Sequence, residues 1–217
     1  MEDPVRVLVV DDHFVVRKGV CALLVDTDGI VVVGEAADGL QAVAEARRLR
    51  PQVILMDLKL PGLDGVGAAR AILAEQPEVG ILILTSTDVE DEVLAAVQTG
   101  ALGYLAKTSP REDLVQAIQR VAQGEIWLPP RLTRRLLTQM KPPPAEEASE
   151  PLTEREDEVL VLLARGWSNR RISEDLSIAE ITVRTHVSHI FGKLGVSNRV
   201  EAALHALRSG KASLQSV

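Results

Sequence analysis

The sequence contains a single cysteine, Cys21, among its 217 residues, so an internal disulfide framework is excluded. It also has no apolar run approaching the ~18 residues that indicate a membrane-spanning helix. Its first ten residues, MEDPVRVLVV, begin with acidic side chains and differ from the positively charged start of a secretory signal. Together these absences predict a cytoplasmic protein with no membrane partner.

The chain also lacks an excess of basic residues. Its formal net charge is −7, which argues against a protein that binds a polyanion over its whole surface. The charge is uneven, however, because the part from Leu162 onward carries 8 basic and 4 acidic residues. A locally basic surface near the C-terminus therefore remains compatible with nucleic-acid binding.

Prolines cluster in the segment KPPPAEEASEP at 141–151. Three consecutive prolines favour an extended chain, and the small and acidic residues after them offer little to bury. We interpret this segment as a linker that follows a short helix near 129–140. The predicted organisation is one domain over 1–125, a connecting helix and linker over 126–151, and a second domain over 152–217.

Apolar runs alternate with amphipathic segments in the first predicted domain. The runs that indicate strands lie at 5–10, 30–36, 52–57, 80–85 and 102–107. The helical patterns lie near 13–25, 39–50, 64–76, 88–99 and 110–123. Near-continuous Val, Ile and Leu strands separated by helices predict an α/β fold, a doubly wound five-stranded parallel sheet with both faces covered.

Polar residues stand where the predicted strands end. Asp11 and Asp12 follow the first strand, and Asp57 follows the third in VILMDLKLPGLDG. Thr85 ends the fourth strand and Lys107 the fifth. Because the carboxyl ends of parallel strands form one edge of a sheet, these side chains can face a common crevice. Converging carboxylates must recruit a cation, and open all-oxygen ligation suits Mg²⁺. With the lysine and the hydroxyl beside them, they predict a phosphoryl site with a carboxylate nucleophile.

Each of these residues has a simpler explanation when it is taken alone. Asp11 or Asp12 could cap the helix that follows. Asp57 could cap a turn, and Lys107 could be a solvated strand end. These explanations do not account for the placement of all the residues at the ends of strands, so a common site is the better interpretation.

The arrangement resembles the receiver domain of response regulators. The residues that carry the resemblance, which spans 5–123, are Asp11-Asp12, Met56-Asp57, Pro61, Asp64-Gly65, Thr85, Tyr104 and Lys107. The resemblance implies a flavodoxin-like fold in which a histidine kinase phosphorylates Asp57. It also implies Mg²⁺ as the cofactor, bound directly by Asp12, Asp57 and the backbone carbonyl of Lys59, and through water by Asp11.

The resemblance further implies a conformational switch. Thr85 and Lys107 would contact the phosphoryl oxygens, and Thr85 would move inward. Tyr104 would then occupy the space that Thr85 leaves. Lys59 and Thr87 flank the expected phosphoryl group, where they would control the access of water.

The pattern after the linker is wholly helical. LTEREDEVL begins with Thr153 and Glu156 at the capping-box spacing, and Ser168 begins another helix after the turn GWSN. The next helix carries an apolar stripe with 4-3-4 spacing, which predicts burial: Val183, Val187, Ile190 and Leu194. Its opposite, polar face fits major-groove reading. The predicted DNA-binding residues are Arg170, Thr182, Arg184, Thr185, Ser188, His189 and Lys193.

Residues 152–208 resemble the LuxR-type DNA-binding domain of NarL/FixJ response regulators, through LTEREDEVL, GWSN, TVRTHVSHI, KLGV and RVEAA. The resemblance implies an all-α, four-helix helix-turn-helix domain that binds double-stranded DNA. It implies a homodimer on activation, formed through the last helix by Val200, Ala203, Leu204 and Leu207. The chain departs from the family at Arg171, at Ala179, which begins the recognition helix without a cap, and at Gly192 inside that helix.

We therefore expect a phosphorylation-controlled transcriptional regulator that binds two-fold operator DNA as a dimer. It would not be an enzyme beyond a slow self-catalysed hydrolysis of its acyl phosphate. One alternative, an aspartyl-phosphate phosphatase, would need a second acid two residues after the nucleophile, where Lys59 stands. The other, a ligand-sensing LuxR-type regulator, would need a small-molecule pocket instead of the acidic crevice.

Overall fold

The computed structural model describes residues 3–86, 90–139 and 150–212. The chain forms two compact units, Met1–Ala122 and Gln123–Val217. Thr87 and nearly all of the predicted linker lie outside the described residues. Within the described ranges, no helix combines the length and the apolar character needed to cross a membrane.

The first unit is a five-stranded parallel sheet with helices between the strands. The strands are β1 (Val5–Val10), β2 (Ile30–Ala36), β3 (Val53–Met56), β4 (Gly80–Thr85) and β5 (Gly103–Ala106). The helices are α1 (Phe14–Val25), α2 (Gly39–Leu49), α3 (Gly65–Glu75), α4 (Glu90–Thr99) and α5 (Arg111–Ala122). The doubly wound fold is confirmed, and the predicted elements nearly coincide with the observed ones.

The strand order places the acidic strand ends side by side. The order is β2-β1-β3-β4-β5, with every neighbouring pair parallel. The chain passes from β1 outward to β2 and then returns to β3, so the topological switch point lies between β1 and β3. All residues of β3 and β4 are buried, because helices cover both faces of the central strands. Burial of each large apolar side chain there contributes about 1.5–3 kcal/mol.

The turn after β3 brings a helix against the end of that strand. Asp64 caps α3, since its carboxylate accepts a hydrogen bond of 2.7 Å from the backbone N–H of Gly67. A Cβ atom on Gly65 would lie 2.1 Å from the carbonyl oxygen of Asp57. Only glycine allows this close approach, which fixes the backbone beside Asp57.

The second unit is helical in the described residues. Its helices are α6 (Pro130–Gln139), α7 (Glu154–Ala164), α8 (Asn169–Asp175), α9 (Glu180–Leu194) and α10 (Arg199–Arg208). The capping box of Thr153 and Glu156 and the cap by Ser168 are both present. No side chain caps the start of α9 at Ala179. The core of the unit is formed chiefly by Val159, Leu160, Leu163, Ile172, Val183, Ile190 and Ala202.

Helix α6 and the residues just before it belong to this second unit. The backbone N–H of Ile126 donates to the carbonyl of Gly166 at 3.4 Å, and α6 packs against α10. Leu132 and Leu136 of α6 are buried. The helix that the sequence suggests as a connection is therefore part of a folded unit.

We predict that Gly65→Ala lowers the free energy of unfolding of the first unit by about 1–3 kcal/mol, because the added methyl group collides with backbone. Gly19 provides the matched control, since it lies inside α1 with no atom within 4 Å of an added Cβ. Gly19→Ala should stabilise by up to about 1 kcal/mol. Scanning calorimetry measures both, and equal effects of the two substitutions would contradict the close approach at Gly65.

Candidate functional site

Asp57 stands at the carboxyl end of β3 with its carboxylate buried. Its backbone N–H donates to the carbonyl of Val10 at 3.0 Å, which continues the pairing of β1 and β3. Its Oδ1 accepts a bond of 3.3 Å from the backbone N–H of Lys59. The carboxylate is thereby aligned at the switch point, where burial of an ionised group requires a cationic partner.

Lys107 supplies that cation. Its Nζ lies 2.5 Å from Oδ2 of Asp57 and 2.5 Å from Oδ2 of Asp11, and both carboxylates are almost fully buried. Burial alone would lower the pKa of Lys107, but its hydrogen bonds to Asp11 and Asp57 and their negative charges outweigh burial and raise it. The ammonium group thus joins the ends of β1, β3 and β5.

Asp12 is more exposed than Asp11 and adds a further carboxylate. His13 Nδ1 lies 2.6 Å from Oδ1 of Asp12, and ligand atoms of Asp11, Asp12 and His13 all lie within 4.8 Å of one another. A cleft of about 490 Å³ opens beside them, lined by Asp12, Leu58, Lys59, Leu60, Pro61, Asp64, Val66 and Glu92. Carboxylate oxygens next to an open cleft fit a hard divalent cation that keeps water ligands.

The two residues of the predicted switch lie on adjacent strands. Thr85 ends β4, and its carbonyl accepts a bond of 2.9 Å from the backbone N–H of Lys107. Tyr104 of β5 pairs with Ile83 in the sheet. Both Thr85 and Tyr104 are buried, so the tyrosine lies inward in this structure.

Arg17 is a member of the site that the sequence did not reveal. Its Nη1 donates to the carbonyl oxygen of Asp11 at 2.6 Å, and its Nε donates to Glu35 at 3.1 Å. Glu35 also pairs with Lys18 at 2.6 Å, and the hydrogen bond from Lys18 lowers the pKa of Glu35. Arg17 therefore ties the backbone of Asp11 to β2.

The second candidate site is the polar face of α9. Val183 and Ile190 are buried and Val187 and Leu194 partly buried, which confirms the predicted inward stripe. Five of the predicted DNA-binding residues are exposed, namely Arg170, Arg184, Thr185, Ser188 and His189, whereas Thr182 is partly buried. Arg184 pairs with Glu180 and Arg170 with Glu174 on the surface. Such exposed pairs contribute little to the stability of the unit.

Lys193, a predicted DNA-binding residue, forms an ion pair inside the second unit. Its Nζ lies 2.7 Å from Oε2 of Glu156, and its side chain is only 19% exposed. Glu156 is buried and also accepts a bond from the backbone N–H of Thr153 at 2.9 Å. Lys193 therefore joins α9 to the start of α7 and does not point to the outer face. His189 lies 3.6 Å from the same carboxylate but keeps an exposed ring.

The predicted dimer residues also differ from expectation. Val200, Ala203 and Leu204 are buried in the folded chain, and Leu207 is partly buried. An apolar stripe on a helix predicts burial but not the identity of what covers it. Because these side chains already lie inside a single copy, they are not available to a second copy in this conformation.

Comparison with known proteins assigns each unit to a family. Residues 7–119 match the family described as response regulator receiver domain, and residues 150–206 match the family described as bacterial regulatory proteins, luxR family. The chain belongs to the response regulators of the NarL/FixJ type. Each matched segment lies inside one of the two compact units.

The similarity to other response regulators extends over nearly the whole chain. The transcriptional regulatory protein LiaR of Bacillus subtilis is 41% identical over 94% of this chain and 98% of its own. The response regulator VraR of Staphylococcus aureus is 39% identical over 94% and 97%. Among solved structures, the regulator ChrA of a heme-sensing two-component system matches with a TM-score of 0.53 at 38% identity, over 97% of this chain and 99% of that one.

A structure of two RcsB dimers bound to DNA is also similar, with a TM-score of 0.55 and 26% identity over 95% of this chain and 99% of that one. LiaR is a transcriptional regulatory protein, VraR and ChrA are response regulators, and RcsB is bound to DNA in its structure. The prediction of a transcriptional response regulator that is not an enzyme is therefore confirmed. A receiver-family match over the first unit also disfavours the phosphatase and ligand-sensing alternatives.

The buried Glu156 predicts a pH dependence of stability. The hydrogen bonds from Lys193 and then from the Thr153 backbone lower its pKa to about 2. A lowered pKa in the folded state means that the stabilisation is complete above the ordinary value of 4.5 and is lost as the pH falls toward 2. Glu156→Gln should lower the free energy of unfolding by about 1.5–3 kcal/mol at pH 7. As the pH falls toward 3, the variant should lose less stability than the wild type, because it has no carboxylate to protonate at this position.

Tryptophan fluorescence provides the measurement, because both tryptophans, Trp127 and Trp167, lie in the second unit. Urea unfolding at pH 7 and at pH 3 gives the change in the free energy of unfolding between the two pH values for each protein. Glu158→Gln is the matched control, since Glu158 lies on the same helix and makes an exposed pair with Arg155. If Glu156→Gln and Glu158→Gln behave alike, the ion pair of Glu156 does not stabilise the unit.

Proposed function

We propose that this response regulator accepts a phosphoryl group on Asp57 from a histidine kinase. The observation that carries the proposal is the Lys107 ammonium between the buried carboxylates of Asp11 and Asp57. A structural ion pair needs one carboxylate, whereas here two share one cation and Asp12 beside them lines an open cleft, an arrangement that suits a carboxylate nucleophile with cationic support. We propose that this part of the protein works in the cytoplasm, where its DNA target would lie.

The proposed transfer is a substitution at phosphorus. A carboxylate oxygen of Asp57 attacks the phosphorus atom of a phosphohistidine. The new P–O bond forms as the P–N bond breaks, and the electron pair leaves on the imidazole nitrogen. Lys107 pairs with a phosphoryl oxygen, and the hydroxyl of Thr85 donates to another.

The proposed Mg²⁺ ligands are Asp12, Asp57 and the backbone carbonyl of Lys59, with Asp11 bound through water. When bound, Mg²⁺ would neutralise charge on the phosphoryl oxygens. The carboxylates and the open cleft fit this ion. His13 is close enough to Asp12 to orient its carboxylate through their hydrogen bond.

Phosphorylation would add about −1.5 to −2 charges beside Lys107. We propose that the new oxygens draw the Thr85 hydroxyl toward Asp57 and that Tyr104 adjusts to the space left behind it. Conversion of a mostly inactive population into a mostly active one requires about 5.5 kcal/mol of differential stabilisation. Charge-assisted bonds from Lys107 and Thr85 to the phosphoryl group would provide part of it.

We further propose that the active form is a homodimer on two-fold operator DNA. Arg184, Thr185 and Ser188 on the outer face of α9 would reach base edges, while Arg170 would bind phosphate. Dimerisation through Val200, Ala203, Leu204 and Leu207 requires that α10 become exposed. Since α6 packs on α10 and buries Leu132 and Leu136, the departure of α6 would free part of this surface, although Ala203 also belongs to the core shared with α7 and α9.

The phosphorylation proposal predicts covalent labelling by acetyl phosphate and Mg²⁺. Intact mass spectrometry should show one added phosphoryl group on the wild type and none on Asp57→Ala, because the nucleophile is absent. Asp28→Asn, which removes an exposed acid of the same unit, should label like the wild type. Labelling of Asp57→Ala to the wild-type level would exclude Asp57 as the acceptor.

The dimer proposal predicts that a weakened contact between α6 and α10 favours dimerisation without phosphorylation. Leu136→Ser removes a buried side chain of α6, and Arg134→Ala changes an exposed one on the same helix. Analytical ultracentrifugation should show more dimer for Leu136→Ser and no change for Arg134→Ala, with tryptophan emission as the check of folding. A folded but monomeric Leu136→Ser variant at every accessible concentration would contradict the proposed role of α6.

A further inference from the structure

The recognition helix α9 carries an exposed apolar side chain near its start. In the described part of the second unit, Ile181 is the one large apolar residue that is exposed, at 69%. Single exposed apolar residues are common on protein surfaces and need no explanation by themselves. The position of Ile181 on the helix gives this one a specific meaning.

Ile181 lies at the centre of the outward face of α9. At 3.6 residues per turn, Ser188 falls almost directly above it, with Arg184 and Thr185 on either side. The Thr185 hydroxyl donates to the Ile181 carbonyl at 3.1 Å, so these two residues are stacked on consecutive turns. The buried residues Val183 and Ile190 lie on the opposite face. The isoleucine therefore has no access to the core and shares the surface proposed to enter DNA.

The location restricts what the side chain can recognise. Residues in the N-terminal part of a recognition helix contact base edges in the major groove. An isoleucine side chain has no hydrogen-bonding group, so phosphates and polar base edges gain nothing from it. The one apolar group that the major groove presents is the C5-methyl group of thymine.

We propose that Ile181 is a specificity-determining residue that contacts a thymine methyl group in each operator half-site. The proposal rests on the proposed DNA-binding face of α9 and adds the base that one position of that face selects. Arg184 and the two hydroxyl side chains would supply the hydrogen bonds, whereas Ile181 would supply an apolar contact. Replacement of thymine by uracil isolates this contact, because uracil keeps the hydrogen-bonding edge and lacks only the methyl group.

The experiment begins with operators selected from randomised duplexes by the full chain after acetyl phosphate treatment. Each thymine of the selected half-site is then replaced by uracil, and the affinity is measured at fixed salt. We expect one of these thymine positions to be sensitive to the replacement. There, uracil should raise the dissociation constant of the wild type about fourfold, the change expected for the loss of one buried methyl group. Ile181→Ala should bind the thymine and uracil duplexes equally, while Ser188→Ala should retain the difference at that position.

A second variant, Ile181→Asn, tests for a gain of a new base preference. Asparagine can form paired hydrogen bonds with adenine. Selection with Ile181→Asn should therefore yield adenine instead of thymine at the same position. The inference is overturned if no uracil replacement weakens wild-type binding, or if Ile181→Ala keeps the preference for thymine. Failure of the wild type to select any sequence would instead overturn the proposed DNA-binding face itself. Emission from the two tryptophans of the second unit verifies that each variant is folded.

Discussion

The ion pair of Lys107 with Asp11 and Asp57 is the interaction on which the first unit's function depends. Two carboxylates at the ends of neighbouring strands would repel each other strongly in a buried site, and a single ammonium group 2.5 Å from each compensates half of their charge. This compensation requires that β1 and β3 be adjacent and that the end of β5 lie within reach. The parallel strand order satisfies both conditions, and Gly65 and Arg17 fix the backbone around the two acids.

The second unit applies the same principle to a different purpose. Glu156 is a buried carboxylate that completes a helix cap and binds Lys193 of α9. Its charge is compensated within the unit, so the recognition helix is attached to α7 by a polar contact in addition to apolar packing. The outer face of α9 is left with Arg184, hydroxyl groups and Ile181, a mixture suited to reading bases.

The sequence predicted most of the fold and the convergence of Asp11, Asp57 and Lys107, because both depend on local patterns. Continuous apolar strands identify a parallel sheet, and residues that end such strands must share an edge. The contact of Arg17 with Glu35 could not be predicted from the sequence, because it depends on which strands are neighbours in the sheet. The ion pair of Lys193 with Glu156 was not predicted, because helical periodicity places Lys193 on a flank without showing that Glu156 stands beside that flank. The apolar stripe of α10 identified a buried face, but only the folded chain showed that α6 packs on this helix.

The proposed phosphoryl transfer depends on a divalent cation that Asp12 and Asp57 bind beside Lys107. Isothermal titration of the full chain with Mg²⁺ tests it most directly, with Asp28→Asn as the control. One ion should bind to the wild type and to the control, with affinity reduced on the order of tenfold or more in Asp12→Asn and Asp57→Asn. Equal Mg²⁺ affinity in the wild type and in both of these variants would contradict it.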